Sequence, residues 1–127
     1  MDDNPPCSLS ILVVEDNDAT LKVMQKLITH LGHRVSTAAS VAAARGQLAG
    51  QKFDLLLSDM GLPDGHGTEI LTGIAESDRP RAIALTGYND ADDLRQTRAA
   101  GFAQHLTKPI NFDQLKAAIA KAMEGGG

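Results

Sequence analysis

Five short apolar runs, each followed by a segment of helical periodicity, are the feature that most narrows what this chain can fold into. Ile11 to Val14 is an unbroken apolar stretch, Arg34 to Ala38 a weaker one, and Phe53 to Leu57, Ala82 to Leu85 and Phe102 to Leu106 complete the set. Short continuous runs of this kind suit strands buried on both faces, as in a parallel sheet covered by helices. Between the first two runs, Leu21, Met24, Leu27, Ile28 and Leu31 recur at helical spacing, and Gly32 supplies a residue that tolerates positive φ at the helix end. Ser40 opens an alanine-rich helix that stops near Gly50. Gly67 to Ala75 and Asp90 to Ala100 read as two more, the latter ended by Gly101, and Asn111 caps a fifth carried inward by Phe112, Leu115 and Ile119. Strand then helix, five times over without repeat or linker, predicts an α/β fold with a (βα)5 doubly wound, five-stranded parallel sheet.

A chain of 127 residues is enough for one sizeable core. The expected organisation is one domain over residues 10–123, an N-terminal extension over 1–9 and a flexible tail over 124–127, whose three final glycines have no packing capacity. With 43% hydrophobic and 22% charged residues, the composition is that of a globular protein rather than a disordered one. A net charge of -4 gives no broad positive field for a phosphate backbone, which argues against direct nucleic-acid binding. Cys7 is the single cysteine, so no intrachain disulfide can form and a reducing, cytoplasmic setting is expected. Asp2, Asp3, Pro5 and Pro6 stand where a signal peptide needs a basic start and an apolar run. No apolar run approaches the roughly 18 residues that span a bilayer, so no membrane contact is expected.

In an open parallel α/β sheet the loops leaving the carboxyl ends of the strands share one edge, and ligands bind there. This converts position into geometry. Glu15 and Asp16 follow the first strand, Ser58 and Asp59 end the third, Thr86 follows the fourth, and Thr107, Lys108 and Pro109 follow the fifth. Taken singly, Asp16 reads as a cap, Asp59 as a turn residue, and Thr86 and Lys108 as solvated groups. Acids, a hydroxyl and a lysine delivered to one crevice from four distant segments point instead to a site. Crowded carboxylates repel and are relieved by a hard cation, for which Mg²⁺ with its preference for a few oxygens plus phosphate is apt. Asp59 then suits the role of nucleophile that forms an aspartyl phosphate, Lys108 that of the cation offsetting charge on the transferring group, and Thr86 that of a hydroxyl donor that swings in when phosphate is present.

With these residues the chain resembles the response-regulator receiver domain of two-component signalling. Glu15-Asp16, Asp59, Thr86 and Lys108-Pro109 carry the resemblance, which covers Ile11 to Met123. It implies a flavodoxin-like sheet of strand order 2-1-3-4-5, phosphoryl acceptance from a phosphohistidine, and Mg²⁺ as cofactor. It also implies Asp16, Asp59 and the Gly61 backbone carbonyl as metal ligands, Glu15 acting through water, and a Lys-Pro bond that is commonly cis. The implied partner is a histidine kinase or a histidine phosphotransfer domain, and a face of the fourth or fifth helix is the candidate for homodimer formation. The stretches from Ser58 to Gly65, Ala84 to Tyr88 and His105 to Pro109 are most similar to receivers fused to hybrid sensor histidine kinases, which makes an excised C-terminal receiver the finer expectation. A stand-alone single-domain regulator and an unphosphorylated docking module are the alternatives, and intact Asp59, Thr86 and Lys108 argue against the latter.

Two departures from the family pattern bear on function. His105 stands three before the lysine, where the family usually has a tyrosine or phenylalanine that rotates with the threonine, so coupling from Thr86 to the outer face is altered. Gly61 and Gly87 place no side chain beside the phosphoryl site, leaving approach by a donor or by water unhindered. The remaining features have simpler readings. His30 and His33 lie at a helix end with no acid partner and read as structural, and His66 as an exposed loop residue. Gly61, Gly65 and Gly67 match no nucleotide-binding spacing. An aspartyl-nucleophile hydrolase of the haloacid-dehalogenase kind needs Asp-x-Asp after the first strand, where this chain has Glu15-Asp16, and Gly61 stands two positions after Asp59.

Overall fold

In the computed structural model, residues 9–75, 78–86, 97–107 and 110–124 are described. Five strands form one parallel sheet: β1 (Ser10–Val14), β2 (Arg34–Ala38), β3 (Leu55–Asp59), β6 (Arg81–Thr86) and β7 (Phe102–Thr107). Their spatial order is β2-β1-β3-β6-β7, the expected 2-1-3-4-5 arrangement, and a separate two-stranded antiparallel hairpin, β4 (Gly61–Leu62) and β5 (Gly65–His66), comes after β3 in the chain. The order reverses at β1, so the loops after β1 and β3 flank the switch point where such sheets bind ligands.

The apolar runs of the three central strands, β1, β3 and β6, are buried on both faces because alternate residues serve opposite cores. Ile11, Val13, Leu55, Leu57, Ile83 and Leu85 pack with Met24, Ile28, Leu115 and Ile119 on one side. Leu12, Val14, Leu56 and Ala84 pack with Ala44, Ile70, Leu71 and Phe102 on the other. Each large apolar side chain among these, fully buried, contributes on the order of 1.5–3 kcal/mol.

Helix α1 (Asp18–His30) opens on Asn17, whose side chain accepts from Thr20 N–H at 3.0 Å. It closes with Gly32 at φ 97, Gly32 N–H donating to the Thr29 carbonyl at 2.9 Å and His33 N–H to that of Ile28 at 3.3 Å. This paired closure needs a left-handed residue, which glycine supplies without a Cβ penalty. Helix α2 (Val41–Gly50) starts on Ser40 as expected, and α3 (Phe112–Glu124) on Asn111, whose side chain accepts from Gln114 N–H at 2.7 Å.

Two expectations need correction. Gly67 to Ala75 is not an α-helix: Gly67–Leu71 is a single 3₁₀ helix, after which Thr72 is extended and Gly73 sits at φ 87, a conformation that ends the turn. The third strand begins at Leu55, not Phe53, because it pairs with β1 only from Ile11↔Leu55 onward, although Phe53 is still buried. The helix expected over Asp90 to Ala100 lies mostly outside the described residues, and its last turn, 97–99, is helical. Among the described residues no helix is long and apolar enough to cross a membrane.

Candidate metal and phosphoryl site

Parallel register brings the ends of the strands to one edge. Val14 pairs with Ser58, Asp59 with Leu85, and Thr86 with Thr107, so the residues at or just beyond the ends of β1, β3, β6 and β7 emerge side by side. The last pairing depends on a shift of register between Ala82 and Ile83: Ala82 faces Phe102, but Ile83 faces Gln104. Such a bulge inserts one residue and re-aims the rest of the strand.

At this edge the Glu15, Asp16 and Asp59 carboxylates each place an oxygen within 4.8 Å of the others. Glu15 is only 1% exposed, Asp59 is partly buried and Asp16 is exposed. The chain is fixed here by backbone bonds. Glu15 N–H donates to the Ala38 carbonyl at 3.0 Å, and the Glu15 carboxylate accepts from Asn17 N–H at 3.0 Å just where Asn17 caps α1. On β3, the Ser58 hydroxyl donates to the Asp59 carbonyl at 2.8 Å, Met60 N–H to the Leu85 carbonyl at 3.3 Å, and Gly61 N–H to the Asp59 carboxylate at 3.4 Å. Three acids converging around a space of this size, one of them buried, form a donor set that fits a hard divalent cation.

Thr86 is buried, and its hydroxyl donates to the Leu106 carbonyl at 3.4 Å. His105 pairs with Ala84 and is exposed, as is Thr107. Lys108, Pro109 and Gly87 lie outside the described residues, as does Tyr88; of the predicted set the structure brings together Glu15, Asp16 and Asp59, with Gly61 N–H bonded to Asp59 and Thr86 ending the neighbouring strand.

His66 is not the exposed loop residue expected. It is partly buried and caps the 3₁₀ helix: Nδ1 accepts from Thr68 N–H at 3.3 Å and lies 2.9 Å from the Thr68 hydroxyl, while Glu69 accepts from His66 N–H at 2.8 Å. The histidines at the end of α1 are structural, as expected. His30 lies 6.3 Å from the Phe112 ring, and the His33 Nδ1 accepts from Leu9 N–H at 3.1 Å. Burial favours the neutral ring and lowers the His33 pKa below its ordinary 6.5.

Asp64 is not singled out by the sequence. It sits at the tip of the β4–β5 hairpin, and its carboxylate oxygens accept from Val41 N–H at 2.8 Å and Ala42 N–H at 3.0 Å. These backbone bonds hold its pKa below the ordinary carboxylate value.

Residues 11–120 match the family model of the response regulator receiver domain. The chain belongs to that family. This receiver domain is a phosphoryl acceptor of two-component signal transduction. It is 33% identical over 117 residues to the transcriptional regulatory protein AfsQ1 of Streptomyces coelicolor, covering 92% of this chain and 52% of that protein. It is 33% identical over 115 residues to the alginate biosynthesis transcriptional regulatory protein AlgB of Pseudomonas putida, covering 90% of this chain and 26% of that one. The receiver thus spans about half or about a quarter of the length of these relatives. Both relatives are transcriptional regulators, which gives the finer likeness to hybrid-kinase receivers no support.

Among solved structures, a response regulator receiver domain protein from Clostridium thermocellum superposes with a TM-score of 0.82 at 28% identity, over 92% of this chain and 95% of that one. The chemotaxis response regulator CheY4 of Vibrio cholerae gives 0.84 at 21% identity, over 91% and 98%, a likeness of fold.

Proposed function

We propose that Asp59 is the phosphoacceptor, and that Mg²⁺ is held by Asp16, Asp59 and the Gly61 carbonyl with Glu15 acting through water. The observation that carries this reading is the convergence of the Glu15, Asp16 and Asp59 carboxylates within 4.8 Å at the switch point of the sheet. When bound, the cation offsets charge on the transferring phosphoryl group and on the acids around it. An Asp59 carboxylate oxygen attacks phosphorus, a new P–O bond forms, and the P–N bond to the donor imidazole breaks, the departing nitrogen taking up a proton. Lys108 neutralises the equatorial oxygens. Thr86 gives up its bond to the Leu106 carbonyl, which at 3.4 Å is long and cheap to exchange, and donates its hydroxyl to a phosphoryl oxygen. His105 is the coupling position on the outer strand; its exposed imidazole makes that coupling unlike one through a buried aromatic ring.

The proposed unit covers residues 10–123, with 1–9 and 124–127 as flanks. It works in the cytoplasm, receives its phosphoryl group from a histidine kinase or histidine phosphotransfer domain, and makes no direct contact with nucleic acid or membrane. The relatives' printed roles favour a regulator over the docking-module alternative.

Incubation with Mg²⁺ and acetyl phosphate tests the reading. The expected product is an acid-stable, hydroxylamine-labile phosphate on the wild type that is absent from Asp59→Asn and absent when EDTA removes the metal. No label on the wild type, or label persisting in Asp59→Asn, overturns the assignment.

A further inference from the structure

We propose that Asp64 is a positioning residue that ties the loop carrying Gly61 to the start of helix α2 and so keeps the metal site formed. The inference rests on the reading of Gly61 as a ligand and concerns a side chain outside the ligand set.

The first free N–H groups of α2 all end on side chains. Ser40, the residue before the helix, accepts from Ala43 N–H at 3.1 Å, which is the ordinary local cap. The two others, Val41 and Ala42, are taken by one carboxylate that comes from 23 and 22 residues away in sequence. A helix with a good local cap does not need this second one for its own start. What the long-range bond changes is the other partner, the hairpin.

That hairpin is two residues per strand, with Gly61 opposite His66 and Leu62 opposite Gly65. A ribbon this short is not stable alone. Its base is fastened beside Asp59, where Gly67 N–H donates to the Met60 carbonyl at 2.8 Å and His66 N–H donates to Glu69. Leu62 rests against the core. Its tip is held by Asp64, through two charge-assisted bonds aimed at the positive end of the α2 dipole. Gly61 lies between these anchors, with no side chain of its own to fix it and open space where a Cβ would stand. Freeing the tip therefore widens the conformations open to the Gly61 backbone while leaving all three carboxylates in place.

A Mg²⁺ titration followed by amide chemical shifts decides the matter, using wild type, Asp64→Ala, Asp64→Asn and Ser40→Ala. Asp64→Ala is expected to raise the Mg²⁺ Kd by roughly tenfold, the lower end of what loss of a group supporting a ligand costs. Asp64→Asn, which keeps one acceptor oxygen, is expected to recover part of the affinity. In the metal-free protein, the Val41, Ala42 and Gly61 amides move together in Asp64→Ala. Ser40→Ala weakens the same helix start without touching the hairpin, so it lowers the melting temperature and leaves the Mg²⁺ Kd unchanged. A wild-type Kd in Asp64→Ala overturns the proposal, as does an equal rise in Ser40→Ala. If Asp64→Ala does not fold, a wild-type Kd in Asp64→Asn overturns it. Failure of the wild type to bind Mg²⁺ instead overturns the reading of the acidic cluster, and this proposal with it.

Discussion

Gly67→Ala tests how tightly the phosphoacceptor strand is seated. Gly67 is not among the glycines with positive φ, so the demand for glycine there is one of space. A Cβ at this position would overlap the Asp59 carbonyl oxygen and the Met60 Cε, and would come to 3.0 Å from the Met60 Cα. The Met60 side chain can swing aside; the Asp59 carbonyl and Met60 Cα cannot, being backbone. That backbone is held by the Ser58 hydroxyl at 2.8 Å and by the Leu85 carbonyl at 3.3 Å. Overpacking of this kind costs about 1–3 kcal/mol. Weakening the 2.8 Å bond from Gly67 N–H to Met60 costs about 1 kcal/mol more. The reduced freedom of alanine in the unfolded chain returns about 0.4–1 kcal/mol. The net loss is about 1–3.5 kcal/mol, which for a domain of this size lowers Tm by roughly 4–14 °C. Urea unfolding and calorimetry measure it. Gly61→Ala is the control, because nothing lies within 4 Å of its Cβ, and it should stay within about 0.5 kcal/mol of wild type. If Gly67→Ala is as stable as wild type, or Gly61→Ala loses as much, the steric argument is wrong. Because the displaced atoms adjoin Asp59, the variant should also label more slowly with acetyl phosphate.

His33 makes stability depend on pH. Its folded pKa is lowered below 6.5 by burial, so the unfolded chain takes up the proton first; stability is full above pH 6.5 and falls as pH drops through the folded value. The urea midpoint should decline over that window in wild type and less steeply in His33→Gln, and equal slopes would refute it. Gly61→Arg meets nothing within 4 Å of its Cβ and places bulk and charge beside the phosphoryl site, so the lifetime of phosphorylated Asp59 should change; an unaltered lifetime counts against open access as the reason for glycine there.

Local signals suffice where one segment contains the whole cause. Ile11 to Val14 had to be buried on both faces, Ser40, Asn111 and Gly32 had to bound helices, and the acids had to end strands, because periodicity and capping act within a few residues. The acidic cluster was legible for the same reason: once a parallel sheet is granted, position along the chain fixes the edge on which Glu15, Asp16 and Asp59 appear. Other features depended on partners far away. Pairing with β1 set where β3 begins. A register shift against β6 decided that Thr107, not Leu106, lies beside Thr86, and a one-residue slip sends a side chain to the opposite face. Asp64 drew no reading of its own, because its carboxylate closes the start of a helix over 20 residues upstream. Sequence determined what most segments are, since that comes from their own backbone and side chains. Tertiary structure alone decided which groups meet, since a hydrogen bond between distant residues forms only where packing has already brought donor and acceptor within about 3 Å.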